Sequence, residues 1–210
     1  MLRSQYYEQM KSLAQEIRTK YGLKTPRVLR THLRNIYQDY GIRIDLWPLQ
    51  KGQPSKFKKL RGAYFNDEMG PTVMLSRQLP EDPRVFTMAH ELKHHLVDQD
   101  KSLSYCGSAN ETALVEISAE VFAAELIYPE SDFAFDLMQR GIRPGNCNDE
   151  DLVRLKRETG TTLSYMGLAK RAVFLGFAVR GSFDNVQWKK IEERIYGVPV
   201  YKRLLSRRKL

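Results

Sequence analysis

Residues 85–97 read Val-Phe-Thr-Met-Ala-His-Glu-Leu-Lys-His-His-Leu-Val. Val85, Ala89, Leu92 and Leu96 recur at three- and four-residue spacing, the mark of a buried helix face, with Phe86 and Val97 beside it. His90 and His94 stand one turn apart at the rim of that face, so both imidazoles can reach one ion. Glu91 lies about 100° round the helix, where it can take a proton from a water that the ion activates. A catalytic zinc also needs a third protein ligand and one open position.

The next helix offers that ligand. Ser108 and Glu111 have capping-box spacing ahead of an apolar run to about Ile127. Within it, Glu116 and Glu120 share one face, close to Ala113, Ala119 and Ala123. Small residues let two helix axes approach, as a glutamate must to reach an ion held by its neighbour. Glu116 completes a His-His-Glu set, and Glu120 is placed to accept the other N–H of a ligating histidine.

Working outward, residues 4–20 read as an amphipathic helix, and Thr25-Pro26 opens a second that runs to about Gln38 and stops at Gly41. Short strands follow at 42–47, 61–65 and 71–75, with the last two joined by a turn of hairpin length. Pro48 to Lys59 is polar and reads as a loop. Asp82 and Pro83 supply an N-cap and first-turn proline for the His-Glu helix. Helices are expected at 131–140, 149–159 and 162–175, a late strand at Phe177–Val179, and a last helix from Asp184 to Tyr196. The sum is an α+β chain with a small, mostly antiparallel sheet and a helical C-terminal part. Three segments are expected: an N-terminal helix (1–24), a core domain (25–176) and a C-terminal extension with a basic tail (177–210).

Of the 210 residues, 42% are hydrophobic, enough for one sizeable core. No stretch of about 18 apolar residues predicts a membrane span, and no secretory signal is evident. Two cysteines, Cys106 and Cys147, are too few for a disulfide scaffold, so a cytoplasmic protein with reduced thiols is expected. The net charge of +9 permits an acidic partner or nucleic acid, but a solvated basic surface is the better reading, since charge alone does not establish a binder.

Residues 85–97, together with Glu116-x-x-Ala119-x-x-Phe122-Ala123-Ala124-Glu125-Leu126-Ile127-Tyr128-Pro129, resemble the ImmA/IrrE family of metallopeptidases. The family's helix of the type AHE-x-x-H is followed about 20 residues later by one of the type E-x-x-A-N-x-FA-x-x-LL-M-P. Here Glu120 replaces the usual Asn, and Leu126-Ile127-Tyr128-Pro129 replaces Leu-Leu-Met-Pro. The resemblance implies a zincin-like core, with Zn2+ (or Mn2+) held by His90, His94 and Glu116 and with Glu91 as the catalytic base. It also implies a narrow substrate, a helix-turn-helix transcriptional repressor or similar regulator in a stress or mobile-element response. A metal-binding scaffold that sequesters a regulator or toxin without cutting it is the rival reading.

Other residues read as background. His95 points about 100° away from His94 and is expected at the surface, as is His32 among its arginines. Tyr105 and Tyr128 are candidate donors to an oxyanion. Cys106 reads as a small apolar residue rather than a redox group.

Overall fold

The structure, a computed structural model, describes residues 3–47, 61–99 and 109–199. Its described elements are α1 (Arg3–Lys20), α2 (Arg30–Asp39), β1 (Arg43–Trp47), β2 (Gly62–Asp67), β3 (Gly70–Ser76), α3 (Glu81–Val97), α4 (Ala109–Ile127), α5 (Glu130–Gln139), α6 (Asp149–Thr159), α7 (Tyr165–Phe174) and α8 (Trp188–Tyr196). This is an α+β chain with a three-stranded mixed sheet. The loop expected at 48–59, Ser108 of the expected capping box and the basic tail lie outside the described residues.

Each element follows from its apolar spacing. α1 buries Met10, Ala14 and Ile17, and α2 buries Leu33, Ile36 and Tyr37. Gly41 ends α2 at a φ of 67°, a left-handed conformation that costs a glycine little. β2 and β3 form a hairpin, paired antiparallel from Gly62↔Leu75 to Asp67↔Gly70. β3 occupies the centre of the sheet, in the order β1-β3-β2, and buries Val73 and Leu75.

Several expectations need correction. The sheet is not mostly antiparallel, because β1 runs parallel to β3 from Arg43↔Thr72 to Trp47↔Ser76. The hairpin dictates only the β2–β3 pairing; β1 takes the other side of the central strand. α2 begins at Arg30 rather than at Pro26. Residues 25–29 are not helical: Leu29 is extended, and Val28 is fully buried, its carbonyl accepting the Thr162 hydroxyl at 2.9 Å. His32 then receives the Leu29 N–H on Nδ1 at 3.2 Å, which makes it a half-buried helix-start residue rather than a surface one. α3 begins at Glu81 with Pro80 at the N-cap, so Asp82 and Pro83 both lie in its first turn. Phe177–Val179 is not a strand, since the N–H groups of Gly145 and Cys147 make only isolated bonds to the carbonyls of Gly176 and Phe177. α8 starts at Trp188, after an N-cap at Gln187 instead of Asp184.

The chain divides into two compact units. The first comprises Met1–Pro129 with Gly160–Ser164. In it α3 packs against α4, α2, β2 and β3, while α1 packs along α4. The second comprises Glu130–Thr159 with Tyr165–Leu210. There α6 packs against α7 and α8 over buried Leu152, Val153, Leu155, Leu168 and Ile191. Among the described residues no helix is long and apolar enough to cross a membrane.

Candidate metal centre

α3 is buried on more than one side. Val85, Met88, Ala89 and Leu92 are fully buried toward the core, and Glu91, Lys93 and His95 are buried with them. His90 and His94 keep partial exposure at the helix rim. Opposite them, α4 brings its fully buried Ala119 and Ala123 against the core, with Glu116 exposed at its edge. Of the three alanines expected beside Glu116, Ala119 and Ala123 are buried and Ala113 is exposed.

Three side chains converge between the helices. His90 Nε2 lies 3.2 Å from Glu116 Oε2 and 3.2 Å from His94 Nε2. His94 Nε2 lies 3.7 Å from Glu116 Oε1. Ligands bonded to a tetrahedral zinc at about 2.0–2.1 Å stand about 3.3 Å from one another. The separations among His90, His94 and Glu116 lie close to that spacing. Among the described residues His90, His94 and Glu116 offer ligand atoms within 4.8 Å of one another, and this group could hold a metal ion. Glu116 is 55% exposed in its side chain, so the centre opens to solvent on the α4 side.

The electrostatics suit such a centre. Burial works against a charged His90, but the Glu116 hydrogen bond and the charges of Glu91, Glu116 and Glu120 outweigh it and raise its pKa above the usual histidine value. Glu116 is held below the ordinary glutamate range, chiefly by its bond to His90. Glu91 is 6% exposed, and burial raises its carboxyl above the ordinary value although His90 and His94 pull it back. A dry carboxylate with a raised pKa is a better proton acceptor than one in water.

Three residues that the sequence reading did not single out shape the site. Asp98 Oδ2 accepts the His94 Nδ1–H at 3.0 Å, which leaves Nε2 to face His90 and Glu116. Asp98, rather than Glu120, is the orienting carboxylate; Glu120 is exposed and acts on His90 through its charge. The same four-residue spacing that links His90 to His94 links His94 to Asp98, so the signal was there. Lys93 is fully buried and bonds Asp98 Oδ2 at 2.6 Å. A lysine on a helix is ordinarily a surface residue, so nothing in the pattern flags it. Gly62 on β2 approaches Glu91 so closely that a Cβ there would lie 2.8 Å from its Oε1. A glycine inside a strand pattern does signal such an approach.

His95 is not at the surface. It is 7% exposed, edge-on to the rings of Tyr40 and Tyr64, with Tyr64 Oη 3.1 Å from its Nδ1. Tyr128 is fully buried just beyond the end of α4, about 18 Å along the helix from Glu116, too far to serve an oxyanion there. Tyr105 and Cys106 lie outside the described residues.

Fold and site together define an α+β domain in which a His-Glu-x-x-His helix faces a glutamate on the next helix. The chain belongs to the IrrE N-terminal-like domain family, Peptidase M78, which matches residues 39–164. This is the ImmA/IrrE family that the two motif helices resemble, and it points to a peptidase. Among solved structures the chain is similar to a Mycobacterium tuberculosis transcriptional regulator, at a TM-score of 0.54 and 15% identity. That likeness covers 81% of this chain and 50% of the regulator, so the chain spans half the regulator's length. No curated protein matches the chain.

Proposed function

We propose that the protein is a zinc-dependent endopeptidase built on a zincin-like core, with His90, His94 and Glu116 as metal ligands and Glu91 as general base. The observation that carries this reading is the meeting of three ligand atoms beside a buried carboxylate that feels the charge of both histidines. Two imidazole nitrogens and a carboxylate suit Zn2+ better than Mn2+, which favours all-oxygen sets. When bound, the ion supplies a Lewis acid that polarises the scissile carbonyl and acidifies the attacking water. Glu91 takes one proton from that water and passes it to the leaving amine nitrogen. Asp98 keeps His94 in the tautomer whose Nε2 faces the ion.

The strand beside Glu91 gives a peptide somewhere to lie. Ser76 N–H donates to Arg61 carbonyl at 2.9 Å, which makes Gly62↔Leu75 a pair without direct hydrogen bonds. Gly62 and Tyr64 therefore turn their amide groups to the outer edge of β2, where an extended substrate can pair.

By resemblance the substrate is a helix-turn-helix repressor or a similar regulator and the domain that acts on it is 25–176; the sparse cysteines suit a cytoplasmic setting. A scaffold that sequesters its partner without cutting it has no use for a buried base, and direct DNA binding rests on net charge alone. The test is incubation of zinc-loaded protein with a small helix-turn-helix protein encoded next to it. Wild type produces fragments, and Glu91→Gln keeps its zinc but slows cleavage about 10²–10⁴-fold. Equal cleavage by Glu91→Gln, or inhibition of the partner by both proteins without fragments, rejects the mechanism.

A further inference from the structure

Lys93 is a cation with no exposed surface, placed between the two candidate histidines in sequence and flanking them on the helix. Its Nζ donates to Asp98 Oδ2 at 2.6 Å and to the Val115 carbonyl at 3.3 Å, and lies 5.8 Å from the centre of the Tyr6 ring. The same Asp98 oxygen accepts His94 Nδ1 at 3.0 Å. Val115 is the residue before Glu116. One ammonium thus holds the carboxylate that orients His94 on α3 and the peptide that carries Glu116 on α4. A buried ammonium is far more costly to desolvate than a methionine of similar length, so packing alone does not call for lysine here.

We propose that Lys93 is a positioning residue, a clamp that sets His94 and Glu116 at ligand distance before any ion arrives. The proposal rests on the reading of His90, His94 and Glu116 as the metal site. Lys93 acts through Asp98 on one helix and through the Val115 peptide on the other. Metal affinity therefore depends on it even though it offers no lone pair to the ion.

The experiment measures Zn2+ affinity of the full chain by competition with a chromophoric chelator, for wild type, Lys93→Met, Asp98→Asn and the double variant. Circular dichroism of each metal-free protein monitors the fold. The double variant removes both buried charges together, so it remains informative if Lys93→Met, by taking the buried ammonium from Asp98, unfolds the protein. Lys93→Met is expected to bind zinc about 10–100-fold more weakly than wild type. The double variant loses less than the sum of the two single losses, because both act on one network. A folded Lys93→Met or double variant that binds zinc as tightly as wild type overturns the clamp, even if its melting temperature has fallen. A wild type that binds no zinc overturns the metal-site reading itself, and the clamp with it.

Discussion

A Cβ built at Gly62 would run into Thr87 Cγ2 and stand 2.8 Å from Glu91 Oε1, so alanine there must push both aside. Gly62→Ala is expected to destabilise the protein by about 1–3 kcal/mol and, by the mechanism proposed above, to slow cleavage by displacing Glu91. Adding Thr87→Ala restores part of the melting temperature but not the rate, because Glu91 remains crowded. Full recovery of activity in that double variant would show that the close approach concerns packing only. Asp98 yields a second residue-scale expectation. Burial pushes its carboxyl up, yet the hydrogen bonds from His94 and Lys93 outweigh this and hold its pKa below the ordinary aspartate value of 3.8. A depressed folded pKa contributes stability that is present above 3.8 and lost as pH falls through the folded value. Metal-free Asp98→Asn should therefore lose melting temperature less steeply than wild type below about pH 4. Parallel curves would remove Asp98 from the acid response.

At the scale of elements, α4 matters because it carries Glu116, and side chains from α1, Gln15 and Arg18, hold its far end. Arg18 is 7% exposed and donates through Nη1 to the carbonyls of Leu126 and Ile127 at 2.8 and 3.3 Å. The last carbonyls of a helix have no partner within it, and a cation there also suits the helix dipole. Arg18→Met leaves those acceptors buried without their donor, at a cost of about 2–3 kcal/mol. Urea unfolding should report a lower midpoint with an unchanged slope; a changed slope would mean that the native or denatured state itself had altered. Most helices were legible from apolar spacing, and α1, α3 and α6 fall within a residue or two of expectation. The starts of α2 and α8 were not, because tertiary packing decides where extended backbone gives way to helix. Val28 is the example, its buried carbonyl committed to Thr162.

For the whole molecule, anything that binds the folded chain and not the unfolded one stabilises it by mass action. Zinc at 100 times its dissociation constant adds about 2.7 kcal/mol, which for a chain of this size raises the melting temperature by roughly 5–10 °C. His94→Ala should show no such rise, and a chelator should reverse it in wild type; equal shifts in both proteins would place the ion elsewhere. What the sequence determined by itself is local. With 3.6 residues per turn, His90 and His94 must share a face, Glu91 must flank them, and Glu116 must stand near the alanines of its own helix. Tertiary structure decided the rest: that Glu116, 26 residues from His90, meets it at 3.2 Å, that β1 joins β3 in parallel, and that Gly62, Lys93 and Asp98 close round the site. Helical periodicity constrains neighbours within a turn or two. Which faces then meet is decided by how the whole core packs, and spacing along the chain does not encode that.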